Sequence, residues 1–299
     1  MKVCFVFSNR SEFSEIKPFV DYFKKKTKTD VLDLSKKIKK LELDENLSKI
    51  YSVCYSIFLR KKYDYICILG DRRELPFVAF SAFYLNIKII HIAAGEYISS
   101  VTNFDQFIRP IISIMSNLQI CFSKRATQEV NKLFSGISYL KPNAHFVGNP
   151  VFSGINFRKL KRQVSQNYDL VLLHPQSLSR ENTKNDIMQL KKNLKNKKTI
   201  FILGNKDKNY DLINKFYEQL KSQNLDYVFL NSLSKEKYFC LVKYCDNFFT
   251  NTSSIYEIKL LNSNCLRIIG ERNKNRSNEV FNNKAPEMLY KILKKKIEF

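Results

Sequence analysis

Two acidic residues follow short apolar runs and could perform acid–base chemistry. The run at residues 66–69 leads to Asp71, and the run at residues 87–92 leads to Glu96. Both runs are too short for helices and rich in β-branched residues, which is typical of buried parallel strands. Because open α/β sheets bind ligands at the carboxyl ends of their strands, these carboxylates are candidate proton-transfer groups.

The elements that must position these acids follow a βα pattern. Residues 75–85 are apolar, long enough for a helix and begin near Pro76, so a strand–helix–strand unit is predicted over residues 66–92. Similar alternation along the chain predicts an α/β fold with two Rossmann-like doubly wound domains facing across a cleft, the arrangement called GT-B. The predicted divisions are an N-terminal domain at 1–155, a C-terminal domain at 156–285 and a last helix, which could pack back on the first domain, at 286–299.

Composition and charge limit the classes of function. The 299 residues are 44% hydrophobic, which is typical of a globular chain, and no apolar run is long enough to span a membrane. The formal net charge of +23 is spread over the chain, and no nucleic-acid-binding module accompanies it, so we expect no specific nucleic-acid partner. The charge is compatible with solvated lysine-rich helix faces, with an anionic substrate or with loose contact to an anionic surface.

Several site types are not supported by the sequence. The seven cysteines contain no CxxC pair and only three histidines are present, so we expect neither a disulfide framework nor a metal centre. GxGxxG and GxxxxGK[ST] motifs are missing, so dinucleotide or P-loop binding is not predicted. Residues 2–8 read as a strand and not as a signal peptide, and a cytoplasmic location without a resident cofactor is expected.

Eight short motifs occur in order along the chain. They are SNRSEFSEIKP (8–18), GDRRE (70–74), HIAAGE (91–96), DQFIR (105–109), VGNP (147–150), LLHP (172–175), TNTSS (250–254) and IGER (269–272). As an ordered set, the motifs resemble those of the UDP-N-acetylglucosamine 2-epimerases. The resemblance is closest to the hydrolysing branch used in sialic-acid and legionaminic-acid synthesis.

The resemblance implies a reaction that inverts C2 of a UDP-2-acetamido sugar. Similar enzymes eliminate UDP to give a 2-acetamidoglucal and then add water to the other face, which releases the 2-epimeric sugar. The carried-over catalytic residues are Asp71, Glu96, Asp105 and His174, with His174 assisting the leaving group. The sequence leaves open which carboxylate acts as base and which as acid.

A second group of residues is carried over as the UDP-binding set. Arg10 could bind the β-phosphate, and Glu257 could accept hydrogen bonds from the ribose hydroxyls. Ser253 and Ser254 precede a predicted helix, where hydroxyls and unpaired N–H groups suit a diphosphate, although they could simply cap that helix. Arg109 is included with the substrate-binding residues, although it could instead pair with Asp105 across one helical turn.

Two other interpretations fit the same features. The chain could be a GT-B glycosyltransferase that passes the sugar of a UDP-sugar donor to an acceptor. It could also be a catalytically degenerate UDP-sugar-binding protein. Without the resemblance, Asp71, Glu96 and Asp105 would read as solvated loop acids or helix caps. The resemblance further implies a homodimer.

Overall fold

The computed structural model describes most of the chain and divides it into two compact units. The described residues are 1–38, 47–96, 104–204, 207–223, 226–231, 233–271, 273 and 278–295. The first unit contains the described residues up to 96, residues 104–153 and residues 278–295, and the second contains those between 154 and 273. Residues 278–285, assigned above to the C-terminal domain, therefore lie in the first unit.

Strands and helices alternate along both units. The strands are β1 (Lys2–Phe7), β2 (Lys28–Asp33), β3 (Tyr65–Leu69), β4 (Lys88–Ile92), β5 (Leu118–Cys121), β6 (Ala144–Phe146), β7 (Asp169–Leu172), β8 (Thr199–Ile202), β9 (Tyr227–Leu230), β10 (Asn247–Thr250) and β11 (Leu266–Ile268). The helices are α1 (Arg10–Lys24), α2 (Leu34–Lys37), α3 (Leu47–Lys61), α4 (Leu75–Tyr84), α5 (Asp105–Met115), α6 (Lys124–Ser135), α7 (Arg180–Asn193), α8 (Tyr210–Lys221), α9 (Lys235–Tyr244), α10 (Ile255–Asn262) and α11 (Ala285–Lys295).

The first unit is built on a parallel sheet with the order β2-β1-β3-β4-β5-β6. Successive residues of its strands enter opposite cores, because side chains alternate across a strand. Val3 and Phe5 join the core beneath α1 and α11, whereas Cys4 and Val6 join the core beneath α3, α4 and α5. A sheet covered on both faces explains why its strands read as continuous apolar runs.

The last helix completes the first core. Ala285, Leu289 and Leu293 of α11 are fully buried there. Tyr290 meets Phe23 of α1 edge to face, with 5.5 Å between ring centroids. Burial of each leucine stabilises the unit by about 2 kcal/mol.

The second unit repeats the design with the parallel order β11-β10-β7-β8-β9. Leu170 of β7 enters a core with residues of α9 and α10, and Val171 enters another with residues of α7 and α8. Two parallel-sheet α/β domains are thus confirmed. Among the described residues, no helix has the length and apolar character that a membrane span requires.

Two local features of the helices differ from what their sequence suggests. A serine at the start of a helical pattern is a common N-cap, which favours Ser11 in the first helix. Asn9 is the actual N-cap and accepts from the Glu12 amide at 2.9 Å. Glu12 returns the bond to the Asn9 amide, so the two residues form a capping box. A proline such as Pro110 is expected to end, kink or begin a helical segment. Pro110 lies inside α5, which continues to Met115, so it neither begins nor ends this helix.

Candidate active site

The strand order reverses once in each described sheet, and candidate residues follow the strands at both reversals. In the first sheet the reversal lies between β1 and β3, and Asp71 follows β3. In the second it lies between β7 and β10, with His174 after β7 and Ser253 after β10. Such switch points open a crevice at the carboxyl ends of the strands, which is where open α/β sheets bind ligands.

Asp71 and Arg109 form an ion pair in the first unit. The Nη2 group of Arg109 donates to Oδ2 of Asp71, and the Nη1 group donates to the backbone carbonyl of Ala93. The side chains are 19% and 7% exposed, so the pair is largely shielded from solvent. Arg109 therefore reaches across to the end of β3 and does not form the local pair with Asp105. The contact joins the loops that follow β3 and β4.

The loop at residues 93–96 has an unusual backbone. Ala93 adopts a left-handed conformation with φ +60°, which costs a residue with a Cβ roughly 1 kcal/mol. Gly95 has φ +75°, and a Cβ added there would lie 2.1 Å from the carbonyl oxygen of Ala126. The loop therefore packs its backbone against the first turn of α6, and this contact fixes the position of Glu96.

Glu96 is buried at the start of α6, with 3% of its surface exposed. Its Oε1 accepts from the Ser123 hydroxyl at 3.0 Å. Ser123 is also the N-cap of α6 and accepts from the Ala126 amide at 3.0 Å. Glu96 is therefore held at the N-terminal end of α6 by the residue that caps this helix.

His91 is fully buried beneath the same edge of the sheet. Its Nε2 lies 2.8 Å from the Gly70 carbonyl oxygen, and its Nδ1 lies 2.9 Å from the Ser113 hydroxyl. Burial is the main cause that lowers the pKa of His91 to about 3, so the ring is neutral at pH 7. Because a carbonyl can only accept, Nε2 carries the proton. His91 is thus a positioning residue that holds Gly70 beside Asp71.

Asp105 begins α5 one turn before Arg109 and is partly exposed. Its place at a helix N-terminus stabilises a negative charge. The first unit therefore brings Asp71 and Arg109 into direct contact. It links them through Ala93 to the Glu96 loop and, along α5, to Asp105.

Glu12 is a buried acid next to this region. Its Oε2 accepts from the Ser8 amide at 2.7 Å and from the Ser8 hydroxyl at 2.8 Å. Burial, reinforced by the negative charge of Glu74, raises its pKa to about 7. The backbone of Arg10 opens α1, whereas the side chains of Arg10 and Ser11 lie outside the described part of the chain.

The second unit holds His174 through its backbone. The His174 amide donates to Oδ1 of Asn251 at 2.9 Å, and Nδ2 of Asn251 donates to the His174 carbonyl at 2.8 Å. Asn251 follows β10, so this reciprocal pair ties the ends of β7 and β10 together. The His174 ring itself is partly exposed.

The predicted serine pair lies at the start of α10. Ser254 occupies the N-cap position but its side chain makes no capping hydrogen bond, so the simple capping interpretation does not hold for it. Ser253 is exposed, and Glu257 lies in the first turn of α10 and is partly exposed. These three residues share one helix terminus in the second unit, and Arg272 lies outside the described residues.

Sequence reasoning missed three supporting residues. His91, at the end of an apolar strand, reads as a structural residue, and its bond to Gly70 cannot be inferred from the sequence. Ser123 could have been found, because a serine directly before a charged helical segment is an N-cap signal. The signal at Asn9 was similar, since Asn followed by Glu three positions later is typical of a capping box.

Comparisons with known proteins identify similar proteins both by sequence and by fold. Residues 17–295 match the family described as UDP-N-acetylglucosamine 2-epimerase. A Campylobacter jejuni protein named GDP/UDP-N,N'-diacetylbacillosamine 2-epimerase (hydrolyzing) is 29% identical over 256 residues, which cover 79% of this chain and 64% of that protein. The polysialic acid biosynthesis protein P7 of Escherichia coli is 30% identical over 244 residues, covering 75% and 60%. The chain therefore spans less than two thirds of either relative.

Solved structures share the fold at lower identity. A Methanocaldococcus jannaschii UDP-GlcNAc 2-epimerase in complex with UDP-GlcNAc and UDP superposes with a TM-score of 0.74 at 17% identity, covering 98% of this chain and 99% of the other. A Neisseria meningitidis UDP-GlcNAc 2-epimerase bound to UDP-GlcNAc gives 0.75 at 15% identity, covering 99% and 100%. These neighbours confirm the GT-B fold class.

Proposed function

The chain belongs to the UDP-N-acetylglucosamine 2-epimerase family, and we propose that it is a hydrolysing 2-epimerase of UDP-N-acetylglucosamine or a related UDP-2-acetamido sugar. The Campylobacter jejuni relative, whose name specifies a hydrolysing 2-epimerase, supports this branch of the family. The observation that carries the proposal is the arrangement of buried or paired acids at the ends of β3 and β4, where Asp71 bonds Arg109 and Glu96 bonds Ser123.

The proposed reaction has two steps that balance without a redox cofactor. In the first, a base removes the proton from C2 and the C1–O bond to UDP breaks, which leaves a 2-acetamidoglucal. In the second, water adds its hydroxyl to C1 and a proton reaches C2 from the opposite face. The products are UDP and the 2-epimeric sugar.

We assign the proton transfers to Asp71, Glu96 and Asp105. Acids in different surroundings can hold different protonation states at one pH, as a base and an acid in one reaction require. The ion pair with Arg109 favours the ionised form of Asp71. Glu96 has different surroundings, because it is buried and accepts a hydrogen bond from the Ser123 hydroxyl.

For the UDP part of the substrate we propose His174, Ser253, Ser254 and Glu257, together with Arg10. A helix N-terminus attracts phosphate through its N–H groups and dipole, which supports the two serines as diphosphate ligands. His174 could protonate or hydrogen-bond the departing phosphate, and Glu257 could accept from the ribose hydroxyls. Arg109 is better assigned to holding Asp71 than to direct contact with UDP, because its guanidinium is already bonded.

The proposal is tested by incubating the protein with UDP-GlcNAc and, separately, with its 2,4-diacetamido-2,4,6-trideoxy analogue. We expect UDP and the 2-epimeric sugar, and in D2O we expect deuterium at C2 of the product. Asp71→Asn should abolish turnover, whereas Asp211→Asn, in which an exposed acid of α8 is replaced, should not.

Other outcomes would change the assignment. Epimerised UDP-sugar without release of UDP would place the chain in the non-hydrolysing branch. UDP release that needs an added acceptor would indicate a glycosyltransferase. UDP binding without turnover of any UDP-2-acetamido sugar would indicate a binding protein.

The proposal includes a homodimer formed through an apolar surface of the first unit. We call this surface the aromatic face. It is formed by outward side chains at helical spacing on α3, α4 and α5, namely Tyr51, Tyr55, Leu59, Phe80, Phe83, Tyr84, Phe107 and Ile111. The exposed fractions of Phe83 and Tyr84 are 59% and 69%. A helix that is apolar on every side, as α4 is, normally lies in a buried environment.

A second copy of the chain fits the aromatic face best. The chain has a net charge of +23, whereas α4 carries no charged residue and the side chains that form the aromatic face are all uncharged, so contact between two such faces is apolar. Six of its side chains are 40–69% exposed, which leaves roughly 600 Å² of apolar surface, compared with about 800 Å² per partner in a stable dimer.

Sedimentation equilibrium tests the dimer. The wild type should have twice the chain mass, and Phe83→Asp should sediment as a monomer. Tyr139→Asp is the control, because Tyr139 is 84% exposed but lies outside the aromatic face. A monomeric wild type would reject the dimer, and loss of binding to anionic vesicles in Phe83→Asp would then identify the face as membrane-binding. A cytoplasmic location stays a prediction.

A further inference from the structure

A buried acid of the second unit, Asp186, lies at the meeting point of three loops. It belongs to α7, is 4% exposed and is not one of the residues that the sequence motifs single out. The three loops follow β7, β10 and β11, which are neighbours in the sheet. The loops after β7 and β10 donate hydrogen bonds to Asp186, and the loop after β11 packs its backbone against the carboxylate.

The loop after β7 is bound to α7 at two points. The Gln176 amide donates to the Thr183 hydroxyl at 2.9 Å, and Nε2 of Gln176 donates to Oδ2 of Asp186 at 2.8 Å. Thr183 and Asp186 lie three residues apart on one face of the helix, so both can reach the same loop. Gln176 and Thr183 are almost fully buried.

The loop after β10 reaches the same carboxylate oxygen. Nδ2 of Asn251 donates to Oδ2 of Asp186 at 2.9 Å and also to the His174 carbonyl at 2.8 Å. Asn251 is fully buried, and its Oδ1 accepts from the His174 amide. The Asn251 side chain therefore links Asp186 to the backbone of His174. Asn251 itself lies three residues before Ser254, in the loop after β10.

The loop after β11 approaches the other carboxylate oxygen. A Cβ added to Gly270 would lie 2.1 Å from Oδ1 of Asp186, so the backbone passes directly over the carboxylate. The Gly270 amide donates to Oε1 of Gln189, another residue of α7, at 2.7 Å. Gly270 also has φ +66°, a conformation that suits glycine.

We infer that Asp186 is a positioning residue that holds the strand-end loops of β7, β10 and β11 in one arrangement, and thereby places His174 and the start of α10 for an anionic diphosphate. The diphosphate part of this inference rests on the proposed function. The loop arrangement does not, because it follows from contacts within the second unit.

The chemistry of the contacts explains why an acceptor oxygen, best supplied by an acid, is needed at this position. Two amide donors from different loops converge on Oδ2, and a carboxylate oxygen accepts two such bonds better than a neutral group does. Truncation would remove the acceptor of one buried N–H from each of Gln176 and Asn251. Those N–H groups would regain hydrogen bonds only if the loops moved toward water. The structural consequence is loop disorder, and the functional consequence is a misplaced His174.

Three variants separate positioning from general stability. Asp186→Ala removes both acceptor oxygens. Asp186→Asn keeps one oxygen that can face Gln176 and Asn251, so it should rescue most of the arrangement. Glu181→Gln is the control, since it removes one negative charge from the same helix at an exposed position.

The first measurement is native-state hydrogen exchange on the full chain. In Asp186→Ala we expect the segments containing His174, Asn251 and Gly270 to exchange at least tenfold faster than in the Glu181→Gln control, with β8 protected as in wild type. In Asp186→Asn, which keeps one acceptor oxygen, we expect a smaller increase of about threefold in the same segments. Unchanged exchange in these segments of a folded Asp186→Ala protein would overturn the inference. If Asp186→Ala does not fold, the Asp186→Asn protein decides the question. Amide exchange rates equal to those of the Glu181→Gln control in all segments would then overturn the inference.

The second measurement is the dissociation constant for UDP by calorimetry. Asp186→Ala should raise the dissociation constant for UDP at least tenfold, and that of the Glu181→Gln control should match wild type within twofold. Wild-type protein that binds no UDP would count against the proposed function, while the exchange experiment would still decide the loop arrangement. Normal UDP affinity in Asp186→Ala would overturn the link between Asp186 and the diphosphate.

Discussion

The imidazole of His91 donates from Nε2 to the carbonyl oxygen of Gly70 across 2.8 Å. This bond joins the end of β4 to the residue before Asp71, and it lies inside the protein, where solvent cannot replace it. Two groups therefore position the proposed catalytic carboxylate of Asp71. Neutral His91 acts through the Gly70 backbone, and Arg109 acts through the ion pair. Both supports can be removed separately.

Replacing His91 by alanine should lower the free energy of unfolding by about 3 kcal/mol. The substitution creates a cavity and leaves the Gly70 carbonyl and the Ser113 hydroxyl without this partner. Urea denaturation measures the change. His145→Ala is the control: His145 is partly exposed and should cost less than about 1 kcal/mol. Equal losses in the two variants would argue against a special role for the buried ring.

The stability of the first unit should depend on pH through His91 and Glu12 with opposite signs. The pKa of His91 is about 3 in the folded chain and 6.5 ordinarily, so the unfolded state takes up the proton first and stability is lost as pH falls from 6.5 to 3. The pKa of Glu12 is about 7 when folded and 4.5 ordinarily, so its contribution is complete below pH 4.5 and is lost as pH rises to 7.

Glu12→Gln should reveal the histidine effect alone. In wild type the two dependences oppose each other between pH 4.5 and 6.5, so a nearly flat profile is expected there. In the variant, stability should rise with pH over the same range by up to about 1.4 kcal/mol per pH unit. Urea midpoints at half-unit pH steps provide the test, and parallel profiles for the two proteins would contradict the elevated pKa of Glu12.

The pair of Asp71 and Arg109 should be strongly coupled in a double-mutant cycle. Arg109→Met leaves a shielded carboxylate without its cation and should cost about 3 kcal/mol. In the background of Asp71→Asn the same change should cost about 2 kcal/mol less. Urea unfolding of the four proteins measures the coupling, and additivity within about 0.5 kcal/mol would show that the contact is energetically unimportant.

Gly95→Ala should destabilise the first unit by about 3 kcal/mol or more. A Cβ at this position would meet the Ala126 carbonyl at 2.1 Å, and the φ of +75° disfavours alanine. Gly136→Ala is a matched control at the other end of the same helix, where φ is −82° and nothing lies within 4 Å of an added Cβ. That change should be neutral or stabilise by up to about 1 kcal/mol, as thermal denaturation would show.

The elements themselves could be predicted because their periodicity is a local property. Apolar runs such as residues 66–69 read as buried strands, and these became central strands of the first sheet. The assignment of Asp71 and Glu96 to strand ends followed directly. The actual cap, Asn9, was overlooked because Ser11 offered a competing signal two residues later.

The partners of the candidate residues could not be predicted, because they depend on contacts between distant segments. Arg109 lies four residues after Asp105, which suggested a local pair, but the fold brings Asp71 within reach from 38 residues away. Asp186 offers no signal in the sequence, since a helical aspartate usually faces solvent. Its importance depends on three strand ends that meet only after the sheet has formed.

The position of α11 has a consequence for synthesis on the ribosome. The core beneath α1 lacks Leu289 and Leu293 until the last helix leaves the exit tunnel, although β1 to β6 are made long before. At roughly 5–20 residues per second, the intervening segment takes on the order of 10 s to translate. During that delay an apolar surface of the nascent chain is open to chaperones, and the later-made unit has the opportunity to finish folding before the earlier one.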